Sequence, residues 1–569
     1  MKLCSRRPAR PLPIWVILAF LAAVPLQAQS GEKTGTLRGT VVNFITRTPI
    51  ARALVTSNDQ RLAALTDADG RFEFQVPLAA ADGAAEAAVP QGFFLSPRRP
   101  GYLAVDVRDG IQPHGPGDDI VLYLVPEAII AGRITVAGPE ALPPVNVEIV
   151  RRQVQDGRIQ WVPAGSVTAR SDGEFRFAEL AAGSYKVLTR EALDNDTALP
   201  DRQAQIYGFP PAYAQNAPDF AGAAVLQIVP GMTATANLTL TRKPYHRIHI
   251  PVANATADTV IAVNVSVGGQ RGQGFSLGYN NRGQAIEGLL PDGIYTVEAN
   301  GFGTGPGSGT LTFTVNGGPV NGPAMTLVPD SLIRVVVNEE FTSTDDSGSV
   351  SFSDGRRTIR LKGPRRYMSV VLQSAEETPG SGAALRDPVG QGDEGLVIED
   401  VHPGRYWIRV NTTRGYAASI RSGGIDLRRE PLVVAPGASP APIEITMRDD
   451  TAVISGTIEG MPPAPPVVST PAVNAARVTP AMQSPARVYC IPAADSGGQY
   501  TEAWVSPEGS FVSAPLPPGA YRVLAFDHAQ QLEYRNPEAM QAYDSRGPLV
   551  QVAGGQKEQV RVPLIVTTE

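Results

Sequence analysis

Short runs of alternating apolar and polar residues, separated by Gly and Pro, recur along most of the chain. In Ile443-Glu-Ile445-Thr-Met447 the apolar side chains would share one face of a strand, because successive side chains of a strand point to opposite faces. Residues 120–124, 238–240 and 560–564 show the same alternation. Asn536-Pro537-Glu538 combines an N-cap residue, a first-turn proline and a first-turn acid, which is typical of a helix start. The pattern predicts an all-β protein of many short strands, with a short helical insert near residue 537.

A turn of the form Gly-x-Tyr introduces several of these strands. It occurs at Tyr185, Tyr295, Tyr406 and Tyr521, and Pro lies close before the last three copies. Pro presets φ and Gly accepts positive φ, so both residues suit a tight turn. The repetition predicts that these tyrosines occupy equivalent inward positions in successive domains.

A second motif places Gly before alternating phenylalanines. It occurs at residues 70–74, with Phe72 and Phe74, and at residues 173–177, with Phe175 and Phe177. Asp-Gly followed by alternating apolar residues indicates a β-hairpin. We expect all four phenylalanines to lie in the cores of their domains.

Together the repeats divide the chain after residue 28 into five regions of about the size of a β-sandwich domain. The predicted domains span residues 34–126, 127–243, 244–330, 331–449 and 450–569. The fold class expected is all-β, with about five Ig-like or transthyretin-like sandwiches in tandem. Short junctions, most of them with Pro, predict that consecutive sandwiches are held end to end.

The motifs of the first region resemble those of the carboxypeptidase regulatory-like domain family, which has a transthyretin-like sandwich fold. The matching residues are Gly39-Thr-Val41, residues 48–55, residues 66–72 and Gly101-Tyr102. Residues 127–243 and 450–569 match in part, whereas residues 244–449 lack a clean Asp-Gly-x-Phe. The resemblance implies a tandem array of accessory modules in a secreted bacterial protein, related in shape to starch-binding-like domains. These motifs specify a fold and no activity.

Residues 1–28 are expected to form a cleaved signal peptide. Basic residues at positions 2, 6, 7 and 10 precede an apolar run over residues 13–26 and a small-residue site at Ala28. The run is shorter than the roughly 20 residues that span a bilayer, which favours cleavage over an uncleaved membrane anchor. The mature chain is therefore expected to be secreted, periplasmic or at the cell surface, without a transmembrane span.

Charge and cysteine content narrow the classes of function. The net charge is −6, and loss of the basic signal peptide would make the remainder more acidic, which argues against nucleic-acid binding. Cys4 would leave with the signal peptide, so Cys490 would be alone and no intrachain disulfide could form. Cys490 lies in a strand-like run and is expected to be buried.

The candidate catalytic and metal-binding motifs lack the neighbouring residues or elements that such sites require. Gly274-Phe-Ser276-Leu-Gly278 matches a hydrolase nucleophile elbow, but turn residues follow it where a helix is required. His246 and His249 would face opposite sides of a strand. Asp67-Ala-Asp69-Gly70 lacks the later acids of a calcium loop and is better explained as a hairpin turn. No enzyme activity, metal or cofactor is expected.

Aromatic residues near predicted turns are the candidate ligand-binding residues: Tyr207, Phe209 and Tyr213 in a long insert, together with Trp161 and Trp504. Exposed rings could stack on the apolar faces of sugars, or they could close the ends of the sandwiches. A basic cluster from Arg356 to Arg366 either protects an exposed edge strand or binds an anionic ligand such as an acidic polysaccharide or a lipid headgroup.

The leading hypothesis is an exported, non-catalytic binding or spacer protein of the cell surface or extracellular space. Its partner would be a polysaccharide or a cell-envelope protein. The second hypothesis is a carbohydrate-binding protein with a starch-binding-like fold. A secreted hydrolase is the third and is disfavoured, because no nucleophile–base pair or paired acids stand out.

Overall fold

The computed structural model describes residues 34–77, 94–104, 119–194, 205–255, 260–268, 270–271, 274–302, 307–343, 350–353, 355, 357–376, 382–461, 486–493, 496, 498–506 and 508–566. Contacts divide the chain into two compact bodies. One comprises Met1–Pro100 and Ala104–Leu124, and the other comprises Gly101–Leu103 and Val125–Glu569. The predicted signal peptide, residues 1–28, lies outside the described residues.

The described strands are grouped, in chain order, into five sets that are called sandwiches A to E after the predicted regions, and the all-β fold class is confirmed. No helix among the described residues is long and apolar enough to cross a membrane.

Sandwich A contains β1 (Thr34–Asn43), β2 (Leu54–Ser57), β3 (Ala63–Leu65), β4 (Arg71–Pro77), β5 (Leu95–Arg98), β6 (Tyr102–Ala104) and β7 (Asp119–Pro126). In one sheet β1 lies between β4 and β7, and the other sheet has the order β3-β2-β5. Phe72 and Phe74 of β4 are buried, as predicted.

Sandwich B follows the same plan. The strands in this part of the chain are β8 (Ala128–Val136), β9 (Asn146–Gln155), β10 (Arg158–Thr168), β11 (Glu174–Leu180), β12 (Gly183–Thr189), β13 (Ala192–Leu193), β14 (Ile206–Phe209), β15 (Leu226–Ile228), β16 (Thr233–Thr235) and β17 (Leu238–Leu240). One sheet has the order β10-β9-β12-β15, and the other consists of β11, β8, β16 and β17. Phe175 and Phe177 lie in the core between the sheets, as predicted.

Sandwich C contains β18 (Lys243–Pro251), β19 (Val260–Val267), β20 (Gln270–Arg271), β21 (Leu277–Asn280), β22 (Ala285–Pro291), β23 (Gly293–Phe302), β24 (Ser308–Val315) and β25 (Val320–Asn321). One sheet has the order β20-β19-β23-β24. The other has the order β13-β14-β18-β22-β21, so two strands that precede residue 244 in the chain extend a sheet of sandwich C.

Sandwich D contains β26 (Ser331–Glu340), β27 (Ser351–Ser353), β28 (Thr358–Arg360), β29 (Met368–Ser374), β30 (Ala383–Ala384), β31 (Val397–Val401), β32 (Gly404–Thr412), β33 (Tyr416–Ser422), β34 (Ile425–Asp426), β35 (Leu432–Val434) and β36 (Ile443–Arg448). Its sheets have the orders β31-β26-β36-β33-β34 and β30-β29-β32-β35, and β27 and β28 form a separate hairpin.

Sandwich E contains β37 (Val453–Glu459), β38 (Arg487–Pro492), β39 (Thr501–Trp504), β40 (Ser510–Val512), β41 (Gly519–Phe526), β42 (Leu549–Val552) and β43 (Lys557–Ile565). The strand order is β39-β38-β41-β43-β37-β40, with β42 beside β41. The predicted insert contains α1 (Pro537–Gln541), which is capped where the Asn536 side chain accepts a hydrogen bond from the Glu538 N–H. Cys490 on β38 is fully buried, and burial raises the pKa of its thiol to about 12.

In each sandwich the first strand pairs in parallel with the last. Glycine makes a close approach of these strands feasible. A Cβ on Gly132 of β8 would lie 1.9 Å from the carbonyl oxygen of Ala236 and 2.7 Å from Cζ of Phe175. Gly39 and Gly456 hold the corresponding positions in sandwiches A and E, also beside a phenylalanine ring. The recurring Gly and Phe of the sequence therefore form one packing unit.

The four repeated tyrosines occupy equivalent positions, as predicted. Each is the buried third residue of its strand, and its hydroxyl donates to the carbonyl oxygen four residues earlier. The pairs are Tyr185 to Ala181 at 2.9 Å, Tyr295 to Pro291 at 3.0 Å, Tyr406 to His402 at 2.8 Å and Tyr521 to Pro517 at 2.7 Å.

Candidate functional site

The insert that carries three of the candidate aromatic residues is held against sandwich B by a buried lysine. Lys186 of β12 is 5% exposed, and its ammonium donates to the carbonyl oxygens of Phe220 at 2.7 Å and Ala221 at 3.2 Å. The same ammonium lies 4.9 Å from the ring centroid of Trp161 and 4.6 Å from that of Phe220. Carbonyl oxygens and aromatic faces together compensate a buried cation. Lys186 therefore fastens the insert to the outer face of the sheet.

Three of the five candidate aromatic residues lie in the interior. Phe209 belongs to the core of sandwich B, and Trp161 and Tyr213 form a smaller cluster beneath the insert. Rings buried to this extent present no face on which a sugar could stack. For these three residues the burial favours a role in packing over a role in sugar binding.

The other two candidates, Tyr207 and Trp504, are exposed by 36% and 48%. The Arg242 guanidinium lies 4.1 Å from the Tyr207 ring centroid, and the Arg487 guanidinium lies 3.5 Å from that of Trp504. Each ring thus has an arginine on one face. The structure does not bring the five candidates into one site.

A different group of residues forms a junction between sandwiches B, D and E. At its centre is the turn between β9 and β10, where Asp156 and Gly157 have φ values of 49° and 73°. A two-residue turn of this type favours Asp-Gly, because both positions need positive φ. A Cβ on Gly157 would lie 2.9 Å from the Tyr534 ring, so the tip of the turn packs directly on sandwich E.

Charged and polar side chains bind this turn to residues 531–535 of sandwich E. The Tyr534 hydroxyl donates to Oδ1 of Asp156. Arg535 donates from Nε to the Asp156 carbonyl oxygen at 3.0 Å and from Nη2 to Oδ2 at 3.2 Å. Arg152 forms an ion pair with Glu533, whose side chain is 15% exposed. Several of these bonds are charge-assisted and partly shielded from water, which makes them stronger than ordinary surface ion pairs.

Sandwich D completes the junction. The Arg158 guanidinium lies 3.5 Å from the ring centroid of Trp407, and Nη1 of Arg535 donates to the Arg428 carbonyl oxygen at 3.3 Å. Burial lowers the pKa of Arg158 to about 10, with a smaller contribution from the Arg535 charge. Arg158 therefore links sandwich B to sandwich D, and Arg535 of sandwich E contacts both of them.

Stacked tyrosines support the sandwich E side of the junction. Tyr534 stacks on Tyr500 with ring centroids 4.4 Å apart and an interplanar angle of 4°, and Tyr500 lies 6.0 Å from Tyr489. Burial raises the pKa of Tyr534, and the nearby Asp156 carboxylate raises it further. The stack fixes the hydroxyl of Tyr534 in position to donate to Asp156.

The junction joins sandwiches that are far apart in the sequence. Sandwiches B and E are not consecutive in the chain, yet Asp156 and Arg535 are in direct contact. The linker prediction concerns consecutive sandwiches only, so it does not include a contact between these two. The sequence contains only the Asp-Gly turn as a local signal, and nothing local indicates a partner 378 residues away.

Ser276, the serine of the elbow-like motif, lies between sandwiches B and C. It is followed by strand β21, and a nucleophile elbow requires a helix there. Its N–H and its hydroxyl both donate to Oε1 of Glu191, at 2.9 and 3.0 Å. Burial raises the pKa of Glu191, and the bonds from Ser276 oppose that shift. Ser276 and Glu191 therefore form a polar contact between two sandwiches.

The other candidate motifs have separate partners. His246 is buried with Nε2 3.2 Å from Asp292, whereas Nδ1 of His249 lies 3.0 Å from Glu287. Oδ1 of Asp67 accepts the N–H of Asp69 at 2.9 Å and that of Arg71 at 2.8 Å, as a turn residue does. Within the described residues, no three His, Cys, Asp or Glu side chains form a group that could hold a metal ion.

Part of the basic cluster is bonded to neighbouring backbone. Arg356 lies outside the described residues. Arg357 donates to the Val389 carbonyl oxygen at 2.6 Å, and Arg365 donates to the Arg386 carbonyl oxygen at 2.7 Å. Arg360 and Lys362 are exposed. At least two members of the cluster thus anchor a loop of sandwich D.

Comparison with known proteins assigns neither a family nor a function to the chain. The sequence matches no family model, and it matches no curated protein. Similar solved structures include the shaft pilin SpaA from Lactobacillus rhamnosus GG, with 12% identity, 37% of this chain and 98% of that chain covered, and a TM-score of 0.19. The minor pilin GBS52 of Streptococcus agalactiae has 12% identity over 38% of this chain and 98% of that chain, with a TM-score of 0.18. The TIE protein of Bacillus anthracis has 9% identity over 76% of this chain and 73% of that chain, with a TM-score of 0.14. Likenesses at this level say nothing about function.

Proposed function

We propose that the chain is an exported, non-catalytic scaffold that binds a partner in the cell envelope. The contact between the Asp156-Gly157 turn and residues 531–535 carries this proposal. It holds sandwiches B and E in one arrangement, although residues 244–449 separate them in the sequence. A pre-arranged surface binds more tightly, because less conformational freedom is lost on association. Of the two roles in the leading hypothesis, we favour a binding protein over a spacer, because a spacer would need these sandwiches to lie apart.

Export rests on the sequence of residues 1–28, with its basic start, apolar run and small-residue end. Fusion of this segment to a reporter that is active only after export tests it. We expect activity with the native segment and loss when the apolar run is interrupted by charged residues. Activity confined to the cytoplasm would contradict export.

The absence of catalysis is supported by the surroundings of Ser276. Its hydroxyl donates to the Glu191 carboxylate, but the motif continues into a strand and so lacks the sharp strand-to-helix turn that exposes a nucleophile. An activated serine needs a base that accepts its proton and a geometry that exposes its oxygen. Hydrolase activity that Ser276→Ala abolished would replace the scaffold proposal with an enzyme.

Binding to isolated cell envelopes tests the central part of the proposal. The purified full-length chain should co-sediment with envelopes of the source cells in a saturable manner. A variant with Asp156→Ala and Arg152→Ala should bind more weakly while each sandwich stays folded. Arg133→Ala, which removes an exposed ion pair within sandwich B, is the matched control. Absence of saturable binding would contradict the proposal.

Carbohydrate binding remains a second candidate function, supported by the exposure of Trp504 and Tyr207. Each ring has an arginine on one face, which resembles the mixed stacking and hydrogen-bonding chemistry that sugars need. Retention on immobilised polysaccharides, reduced by Trp504→Ala or Tyr207→Ala, would support it. No retention across acidic and neutral polysaccharides would exclude it.

We also propose that sandwich A is a carboxypeptidase regulatory-like domain. The support is the placement of its motif residues: Gly39 packs beside Phe72, and the first strand pairs in parallel with the last. An experimental structure of residues 29–126 that superposed on a member of that family over both sheets would test the proposal.

A further inference from the structure

Strand β24 forms an open edge of sandwich C. It is the outer strand of the sheet β20-β19-β23-β24, and it pairs with β23 over all eight residues. On its other side the described residues contribute one bridge, in which Ser308 and Val328 exchange two backbone bonds of 2.8 Å. Backbone groups alternate between the two sides of a strand. The N–H and C=O groups of Thr310, Thr312 and Thr314 therefore point to the open side.

This edge lacks the features that normally prevent strand pairing. Its sequence, SGTLTFTV, contains no charged residue and no proline, and its register with β23 is continuous. Proteins usually protect outer strands with charges, proline or bulges. Four other outer strands of at least five residues follow that rule: β10 has a proline and a register shift, and β4, β11 and β31 carry charged side chains.

The side chains of β24 also suit pairing with an identical strand. Thr310, Thr312 and Thr314 are exposed on one face, and Leu311 and Phe313 are half-buried on the other. In antiparallel pairing centred on Thr312, threonine would face threonine at every exposed position, with no like charges opposed. Cross-strand threonine pairs are favourable, and the sheet already contains one in which the Thr296 and Thr312 hydroxyls are 2.8 Å apart.

We infer that β24 is a self-association edge, which pairs antiparallel with β24 of a second copy of this chain about a two-fold axis at Thr312. Such an interface is isologous, with the same patch used by both copies. It would join two four-stranded sheets into one of eight strands. A dimer would double the number of binding surfaces on the proposed scaffold, which raises avidity for a repetitive partner. The inference itself does not depend on that scaffold function.

Charge pairing at position 312 tests the inference. Thr312→Lys and Thr312→Glu should each be monomeric in analytical ultracentrifugation of the full chain, because like charges would face each other at the axis. An equimolar mixture should form a heterodimer, identified by its mass in native mass spectrometry. The unmodified chain should show a concentration-dependent monomer–dimer equilibrium.

Thr457→Glu is the matched control, since Thr457 is an exposed threonine on β37, a strand that is paired on both sides. It should dimerise like the unmodified chain. Hydrogen exchange of the unmodified chain gives a second measurement that needs no variant: the amides of Thr310, Thr312 and Thr314 should be protected at high protein concentration and exchange at low concentration. A chain that is monomeric at its highest soluble concentration, or a dimer that survives both substitutions, would overturn the inference.

Discussion

The hydroxyl of Tyr295 donates a hydrogen bond to the carbonyl oxygen of Pro291, 3.0 Å away, across the turn that begins β23. The ring is 3% exposed and packs between Phe275 and Phe313. One side chain therefore anchors both the turn and the core. The same arrangement in sandwiches B, D and E explains why Gly-x-Tyr recurs in the sequence.

Replacing Tyr295 with Phe should lower the free energy of unfolding by about 1–2 kcal/mol. The substitution leaves the Pro291 carbonyl without its donor while it keeps the ring in the core. Urea unfolding of the full chain, followed by a probe in sandwich C, measures the change. Tyr279→Phe is the control, because the Tyr279 hydroxyl is buried and has no hydrogen-bond partner among the described residues. Equal losses in the two variants would mean that the bond to Pro291 contributes nothing.

Replacing Gly132 with Ala should destabilise sandwich B by about 2–3 kcal/mol, because the new methyl group overlaps a backbone carbonyl of the paired strand. Gly165→Ala in the same sandwich should change stability little, since a Cβ there makes contacts of 3.5 Å or longer. Thermal unfolding of both variants gives the comparison. A tolerated Gly132→Ala would show that the close approach of first and last strands is not required.

Stability should depend on pH through Glu191 with a definite sign. Burial raises the pKa of this carboxyl above its ordinary value of 4.5. At pH values between the unfolded and the folded pKa, the folded state therefore binds more protons than the unfolded state. The stabilising contribution is fully present below pH 4.5 and is lost as pH rises through the folded pKa. Urea unfolding should therefore show that Glu191→Gln raises the free energy of unfolding, relative to the unmodified chain, by more at pH 7 than at pH 4.

Glu287 provides a control of opposite sign. Bonds from Asn280 and then His249 lower the pKa of its carboxyl. Its contribution is present above the unfolded pKa and is lost as pH falls through the folded value, so Glu287→Gln should cost stability at pH 7 and little at low pH. Identical pH profiles for the two variants would refute both assignments.

The features that the sequence predicts well are local. Asp-Gly hairpins, alternating phenylalanines and the Asn536 cap each depend on residues a few positions apart, and the structure places Phe175 and α1 as expected. Three of the five candidate binding residues are buried, and no local sign of this is present in the sequence. The insert covers Trp161 and Tyr213, and the ammonium of Lys186 holds the insert in place. The sequence does not indicate this arrangement, because lysine is ordinarily exposed.

The junction could not be derived from local patterns. Asp156 looks like any hairpin aspartate, and Tyr534 belongs to an insert without a repeat. Their contact depends on how complete sandwiches pack, which is decided by surfaces far apart in sequence.

Zero-length cross-linking tests the junction, and with it the proposed scaffold, most directly. Arg152→Lys keeps the positive charge opposite Glu533 and supplies an amine that a carbodiimide can couple to a carboxylate in contact with it. Arg133→Lys is the positive control, because Arg133 lies 3.0 Å from Glu174 within sandwich B. In the isolated monomer of the full chain, peptide mass spectrometry should find the link between positions 152 and 533 as well as the link between positions 133 and 174. If only the control link forms, sandwiches B and E are not held together, and the account of a fixed scaffold is contradicted.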